Sequence, residues 1–326
     1  MKKLITVSVL CLFLFSCKKD LNHKPVREGL SKKYEVTFNV SDFSQEIRFA
    51  DKENIISEAP VTVTNYLTYI AYNSEGAEVS RITQYRHGRT TRIVHDSPNE
   101  IDKGVRPYGV ILDSLASDTY TIVMIASVVN FSINTPFDDY KFNPFNNANF
   151  HFRRIGSVSV SRAGDTFFKK FQLQVEETGA EHKVILDRIV AKADFNIVDS
   201  KQTTFFDIQY KNENEAFTFS NEKPFGETTD EGNEGHIGGV VTGEANITFS
   251  EFVLNTETPV DVTINAYSNF EAFRNREVAA SKTIKDIQFK KNKRFIFRGN
   301  IFSGTTTGFT VTVNDEFDAD TVKRDF

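Results

Sequence analysis

Cysteine and tryptophan are nearly or wholly missing from this chain. Its 326 residues contain no Trp and two Cys, Cys11 and Cys17, both close to the start. The rest of the chain therefore has no thiol for a disulfide, a thiolate metal site or a cysteine nucleophile. The six His are scattered, without an HExxH motif or another close metal-ligand spacing. We expect no metal and no other cofactor.

Catalytic motifs and a concentrated charge of one sign are missing too. No GxSxG nucleophile elbow occurs, and no segment offers a positioned nucleophile or acid–base pair, so we do not expect an enzyme. The acidic stretches 230–234 and 315–320 lack the DxDxDG register of a calcium loop, and solvated loops are the simpler interpretation. The net charge of −5 is spread along the chain, whereas nucleic-acid-binding domains concentrate basic residues on one face. A nucleic-acid partner is therefore not expected.

The longest apolar-rich run covers residues 4–15 and follows Lys2 and Lys3. It is shorter than the roughly 20 residues of a membrane-spanning helix, and it ends at Ser16 and Cys17. A small residue before a cysteine is typical of a bacterial lipoprotein signal, so we predict cleavage between Ser16 and Cys17 and acylation of Cys17, with chains such as palmitate. The alternatives are an ordinary secretory signal, in which Cys17 is incidental, or an uncleaved membrane stub.

Residues 17–33 are polar and rich in basic side chains, which indicates a lipidated tether. A solvated linker is the simpler interpretation, and contact with anionic headgroups is the alternative. From Tyr34 onward the pattern changes, because Tyr34, Val36, Phe38 and Val40 alternate with polar residues. That alternation is typical of a half-buried strand, so the fold is predicted to begin here.

Helical periodicity is nearly absent, whereas 31 Phe and 10 Tyr are present. Aromatic and β-branched residues in short runs separated by turn signals predict an all-β protein built of antiparallel sandwiches. Residues 61–85 read as a hairpin around the turn 73–76, in which Gly76 suits a positive φ. Residues 121–126 are apolar on both faces, which places that strand in the middle of a packed sheet. The single helix candidate, 271–282, could equally be a hairpin tip.

Residues 176–181 lack an apolar period and contain Gly179, which makes them the expected boundary between two domains. The predicted division is a signal peptide at 1–16, a tether at 17–33, and β-sandwiches at 34–181 and 182–326. Just past the boundary, residues 184–199 predict one strand. Its apolar face would hold Ile185, Ile189, Ala191, Ala193, Phe195 and Ile197.

Two segments suggest binding surfaces. Residues 130–149 are rich in Asn and aromatics and read as a long surface loop, with packing of its own aromatics on the sheet as the favoured role and ligand binding as the alternative. A basic cluster comprises Arg81, Arg86, His87, Arg89 and Arg92. Charge that protects an exposed sheet edge is the favoured interpretation, and an anionic partner is the alternative.

With the lipoprotein signal, three stretches resemble the fimbrillin-type lipoproteins of Bacteroidetes, particularly the FimB and Mfa2 fimbrial anchor family. Residues 184–194 are similar to the family's LxRxVAKV strand. Residues 113–122 resemble its L-x-x-G-x-Y edge, although Ser117 and Asp118 replace the glycine. Residues 291–302 resemble its RN-x-x-y-x-L-x-G strand near the C-terminus.

The resemblance implies two tandem transthyretin-like sandwiches in a lipoprotein of the outer membrane, exposed on the cell surface. It implies a role as fimbrial anchor or accessory subunit in pilus assembly and cell adhesion. The partners would be the membrane, through the N-terminal lipid, and other fimbrial subunits joined by donated strands, with residues 309–326 as a place where a donor or acceptor strand could lie. Cleavage after Arg27 would release no strand and would sever the lipid, which favours the anchor role. The alternative function is a glycan-binding surface lipoprotein of a polysaccharide-uptake system.

Bacteria of this phylum also attach O-glycans to Asp-Ser/Thr followed by an apolar residue. Ser114, in Asp113-Ser114-Leu115, and Thr321, in Asp320-Thr321-Val322, fit that pattern. The resemblance therefore implies Ser114 and Thr321 as candidate glycosylation sites.

Overall fold

The structure, a computed structural model, describes residues 32–43, 64–87, 90–95, 107–133, 144–152, 163–200, 205–227, 237–238, 247–303 and 309–314. These residues are almost entirely β-structure, which confirms the predicted all-β class. No helix among them is long and apolar enough to cross a bilayer. The strands are β1 Lys33–Phe43, β2 Tyr66–Tyr72, β3 Glu78–His87, β4 Thr90–His95, β5 Val110–Ala116, β6 Asp118–Ser127, β7 Phe131–Ile133, β8 Asn149–Phe152, β9 Thr166–Val175, β10 Ala180–Arg188, β11 Ala191–Ile197, β12 Phe205–Lys211, β13 Asn214–Thr218, β14 Pro224–Glu227, β15 Ile237–Gly238, β16 Ile247–Val253, β17 Val260–Tyr267, β18 Ala280–Ile287, β19 Arg294–Gly299 and β20 Thr310–Asn314, and the one α-helix is α1, Phe270–Arg274.

We call β1 to β10 the first half of the chain and β11 to β20 the second half. One hydrophobic core lies within the first half. Eight strands are hydrogen-bonded in the order β4-β3-β2-β6-β9-β10-β1-β5. Strands β9 and β10 are joined through only two residue pairs, Asp187 with Phe168 and Arg188 with Phe167. Apolar side chains from all eight strands meet in one cluster, so the sheet turns at this narrow join and encloses the core between its two parts.

Strand β6 lies in the middle of this arrangement, as its sequence predicts. Ile122, Met124 and Ala126 point into the first core, whereas Val123 and Ile125 point from the opposite face into another cluster. Both faces are covered because successive side chains alternate across the sheet. The predicted hairpin is also present, with β2 and β3 paired around Gly76 at a φ of +79°.

The other cluster, which we call the junction core, lies between the two halves of the chain. It packs β2, β6 and β9 against a four-stranded sheet in the order β14-β13-β8-β7. In that sheet, Phe150 of β8 from the first half pairs with Phe217 of β13 from the second half. The two halves are therefore joined by a shared sheet as well as by the continuous chain.

The second half has its own core, closed by two four-stranded sheets. Their orders are β16-β11-β19-β20 and β15-β12-β17-β18. Buried residues of β11, β12, β16, β17 and β19 meet between them. Most pairings are antiparallel, but β1 with β10 and β11 with β19 are parallel. The transthyretin-like detail and the division after residue 181 stay predictions.

The single strand expected over residues 184–199 is wrong. The segment forms two strands, β10 and β11, separated by Ile189 and Val190. Strand β10 pairs with β1 beside the first core, and Ile185 is 45 % exposed, whereas Ala191, Ala193, Phe195 and Ile197 point into the second core as expected. The break was missed, although Asp187 interrupts the apolar series of odd-numbered positions. In β10 the inward apolar residues are Val184 and Leu186, at even-numbered positions, and the inward positions become odd-numbered from Ala191 onward.

Candidate functional site

The residues predicted for lipidation and glycosylation lie mostly outside the described part of the chain. Ser16, Cys17 and Thr321 are among the undescribed residues, so their roles stay predictions. Ser114 lies on the edge strand β5 with an exposed side chain. The preceding Asp113 accepts hydrogen bonds from the Ser114 backbone N–H (2.7 Å) and the Tyr69 hydroxyl (3.0 Å). The side chain of Ser114 is therefore sterically open to modification, whereas Asp113 is held by the fold.

The described aromatics of the expected 130–149 loop face inward. Phe131 and Phe150 are buried in the junction core and Phe145 packs against it. Their segments form β7, a short 3-10 turn and β8, so part of the expected loop is sheet. The favoured role, in which the segment packs its own aromatics on the sheet, is confirmed for these residues. Positions 134–143 lie outside the described residues.

The basic cluster lies on β3 and the edge strand β4. Arg81 forms an ion pair with Glu78, with 2.6 Å between Nη2 and Oε2. The guanidinium of Arg86 lies 4.5 Å from the ring centroid of Tyr108. His87 and Arg92 belong to these strands without described side chains, and Arg89 is not described. Both described arginines lie on β3, inside the edge strand β4, and are engaged within the fold, so they support neither the edge interpretation nor an anionic partner.

Two edges of the second half are incompletely covered. Within the described residues, β18 pairs only with β17 and β20 pairs only with β19. Phe289, just after β18, has its ring 4.7 Å from that of Phe295 on β19. Strands β18 and β20 therefore lie on the same side of the two stacked sheets. We call this pair of edges, with the inward-facing residues Ile284, Ile287, Val311 and Val313, the open seam.

The apolar side chains of the open seam remain partly in contact with solvent. Neither β18 nor β20 contains a single buried residue. Ile284, Ile287 and Val311 pack against the second core while staying partly exposed. Val313 lies on the same face of β20 as Val311 and is 38 % exposed. In contrast, the inward residues Ile111 and Leu115 of the edge strand β5 are 1 % and 3 % exposed.

Residues 301–303, which follow β19, are held by hydrogen bonds to one carboxylate. Asp199 accepts hydrogen bonds from the backbone N–H groups of Ile301 (2.7 Å), Phe302 (2.8 Å) and Ser303 (2.8 Å). Partial burial works to raise the pKa of Asp199, but these donors outweigh it and lower that pKa. At Gly299, a Cβ would lie 2.9 Å from the Cα of Phe309, so glycine allows Phe309 to pack at the start of β20. Contacts with Asp199 and Gly299 therefore fix residues 301–303 and Phe309, the residue immediately before β20.

Across the described ranges, no group of three or more His, Cys, Asp or Glu could hold a metal ion. Residues 309–326 are predicted from the sequence as a place for a donor or acceptor strand, and β20 lies within them. Ile284 and Ile287 were not predicted as part of a binding surface. The charged residues between them, Lys285 and Asp286, were the available signal, since charge is common on edge strands.

Comparison with known proteins gives structural likeness only. No family model and no curated protein matches the chain. The solved structures that resemble it include candidate adhesion proteins of Bacteroidetes, a candidate polysaccharide-binding protein from Bacteroides thetaiotaomicron and a fimbrial anchor protein. A candidate cell adhesion protein from Bacteroides eggerthii is 11 % identical, with 87 % of this chain and 95 % of that chain covered and a TM-score of 0.46.

Two further structures are similar at the same level. A candidate adhesin from Bacteroides thetaiotaomicron is 14 % identical over 87 % of this chain and 97 % of that one, with a TM-score of 0.43. The fimbrial anchor protein Mfa2 from Porphyromonas gingivalis is 10 % identical over 87 % of this chain and 98 % of that one, with a TM-score of 0.44.

Proposed function

We propose that this chain is a lipid-anchored surface protein of the bacterial outer membrane that serves as anchor or accessory subunit of a fimbria. The open seam is the place where a partner subunit adds a strand. The observation that carries the proposal is the exposure of inward-facing apolar side chains, above all Val313, along two edges without a described partner strand.

Strand addition matches the chemistry of the open seam. An edge strand presents unpaired backbone N–H and C=O groups, which an added strand satisfies by extending the ladder. The same strand would cover Val313 and Ile284, and burial of apolar area contributes about 25 cal/mol per Å². Backbone pairing supplies affinity, while the alternating side-chain positions supply specificity.

The anchor role depends on Cys17. Several acyl chains on its thiol and amine would bury many CH₂ groups at ~0.8 kcal/mol each, which gives a lasting attachment where one chain gives only reversible binding. A protein held in this way can retain a fibre at the cell surface. The function thus combines a lipid at one end of the chain with an open edge near the other.

Two substitutions made in the organism of origin test the two parts separately. With Cys17→Ala, we expect the protein and its partner subunit together in the medium. With Val313→Lys, we expect the protein to stay on the membrane and the partner to be lost, since a charge on the inward face of β20 opposes strand addition. Val79→Lys is the matched control, because Val79 is also an exposed valine, 49 % accessible on β3. Affinity purification with quantitative mass spectrometry measures all three.

Each part of the proposal can be contradicted by one of three outcomes. If wild-type protein purifies without any β-rich surface subunit, the fimbrial role is wrong. If Val313→Lys retains the partner as fully as Val79→Lys does, the open seam is not the docking place. Retention of Cys17→Ala on the membrane would contradict the lipid anchor.

A further inference from the structure

The one exposed phenylalanine among the described residues lies at the end of the second half, on the connection from β17 to β18. Phe270 is 56 % exposed, whereas the neighbouring Phe205, Tyr267 and Phe273 are 9 %, 1 % and 9 % exposed. We call these four residues the aromatic tip. Single exposed apolar residues are ordinary, so the case for a function depends on how this ring is supported and what surrounds it.

The ring of Phe270 rests on a fixed stack. Its centroid lies 5.6 Å from that of Phe205 and 6.2 Å from that of Phe273, and the planes of Phe270 and Phe273 differ by 27°. Tyr267 meets Phe273 edge-on at 5.2 Å. Side chains already packed against one another lose little further conformational freedom when a ligand binds. The exposed ring of Phe270 is therefore already held in position before a ligand binds, and we call this ring the platform.

The backbone of the connection is equally constrained. Asn269 caps α1, with its Oδ1 accepting from the Ala272 N–H at 2.9 Å. The Glu277 N–H donates to the Ala272 carbonyl at 2.8 Å and closes the turn after the helix. Below the stack, the Tyr267 hydroxyl lies 3.5 Å from Oδ2 of the fully buried Asp207. The platform is thus attached to the sheet through β12 and β17.

The rim of the aromatic tip carries balanced charge. Glu271, Arg274, Arg276 and Glu277 are all exposed, two of each sign. An anionic membrane or a charged polymer is attracted by a surplus of one sign, which this rim lacks. The exposed amides of Asn269 and Asn275 add neutral hydrogen-bonding groups. The chemistry favours a neutral, polar partner.

The apolar area is also too small for a protein interface. On the connection, Val278 at 46 % is the only other large apolar side chain exposed to a similar degree. A stable interface buries about 800 Å² per partner, several times what one ring and one valine present. One ring does match the apolar face of a single sugar, whose polarised C–H bonds meet the negative face of the aromatic system.

We propose that the aromatic tip binds a neutral saccharide, with one pyranose ring stacked on Phe270 and the rim of Asn and charged side chains bonding its hydroxyls. This site is distinct from the open seam and does not depend on the fimbrial role. It gives the protein a glycan contact at the end of the second half.

The test uses full-length protein purified from membranes in detergent. It is titrated with a fixed panel of neutral hexasaccharides of glucose, galactose and mannose in α and β linkage, by calorimetry. We expect binding to at least one member. Phe270→Ala should weaken it about tenfold or more, Phe270→Tyr should keep it because the ring remains, and the control Val79→Ala should not change it. Thermal unfolding of each variant checks that the fold is intact.

Three results would overturn the proposal. The first is no binding by the wild type to any panel member at millimolar concentration. The second is binding that Phe270→Ala leaves unchanged. The third is a wild-type dimer, seen by mass photometry, that Phe270→Ala abolishes without any saccharide binding, which would assign the tip to a second copy of the chain.

Discussion

The junction core and the open seam are built from the same kind of short strand, yet one is closed and the other is not. In the junction core, Phe150, Phe217 and Phe219 are fully buried, and the rings of Phe150 and Phe217 stack 5.6 Å apart. In the open seam the inward positions hold isoleucine and valine, and none is fully covered. The chain thus places its large rings where its own two halves meet and smaller side chains where an edge stays available.

Polar contacts reinforce the closed region. Arg188 donates from Nε to Asp165 Oδ1 at 2.6 Å and from Nη2 to Asp165 Oδ2 at 3.0 Å, and its Nη1 reaches Asn292 Oδ1 at 2.9 Å. Lys170 of β9 donates to the carbonyl of Ser220 at 2.8 Å. The hydrogen bonds from Arg188 to Asn292 and from Lys170 to Ser220 join the first half of the chain to two turns of the second half. Removing only one partner of the buried Arg188–Asp165 pair is therefore expected to be strongly destabilising, because the other charge would stay buried without its partner.

The largest effect is expected from opening the junction core. Phe150→Ala removes a fully buried ring that contacts Phe131, Phe152 and Phe217, and we expect it to lower the free energy of unfolding by about 3–5 kcal/mol. Chemical denaturation of the purified protein measures the loss. Phe270→Ala deletes the same atoms from an exposed site and serves as the control. A loss below about 1 kcal/mol for Phe150→Ala would show that the junction is not a sealed core.

An intermediate, pH-dependent effect is expected beside the junction. The enclosed carboxylate of Glu213 accepts from the Leu254 N–H at 2.6 Å and the Asn255 N–H at 3.3 Å. Burial outweighs these bonds and raises the pKa of Glu213 to about 8. Since the folded pKa exceeds the ordinary value of 4.5, folding favours the protonated form, so the free energy of unfolding falls as pH rises from 4.5 to about 8.

Glu213→Gln tests this pH dependence, because an amide cannot ionise. We expect the unfolding free energy of Glu213→Gln, measured from pH 5 to 9, to decline less than that of the wild type. Glu75→Gln, at the exposed β2–β3 turn, is the control. Parallel curves for wild type and Glu213→Gln would contradict the assignment.

The smallest effect is expected at the open seam. Val313→Thr should change the unfolding free energy by less than about 0.5 kcal/mol, since its side chain is already partly hydrated. Val262→Thr, at a fully buried site on β17, places an unpaired hydroxyl in the second core and should cost about 1–3 kcal/mol. If the two substitutions cost the same in denaturation experiments, β20 is covered more completely than the structure shows.

Sequence patterns predicted elements whose side chains report directly on burial. Strand β6 was identifiable because both of its faces are apolar, and the β2–β3 hairpin because Gly76 marks its turn. The break at Ile189 and Val190 was missed, although the inward apolar residues change there from even-numbered positions, Val184 and Leu186, to odd-numbered ones from Ala191 onward. The expected helix at 271–282 was also mostly wrong, since only Phe270–Arg274 is helical and Ala280–Ile287 is strand. The alternative of a hairpin tip describes that region better.

The candidate sites also differ in whether the sequence alone could reveal them. Cys17 and Ser16 follow from a local order of charged, apolar and small residues, which needs no tertiary contact to recognise. The open seam needs the sheet order, because exposure of Val313 depends on which strands lie opposite and beside β20. The aromatic tip needs the stack of Phe205, Phe270 and Phe273, because strands β13 to β17 lie between Phe205 and Phe270 along the chain.

The sequence by itself determined the all-β class and the likeness of its start to a lipoprotein signal, because composition and period-two alternation are local properties. Only the tertiary structure decided that the halves share a sheet, that β10 belongs beside β1, and that β18 and β20 have no second partner strand among the described residues. Strand pairing joins residues far apart in the chain, and the identity of a strand's neighbour is not written in its own alternation.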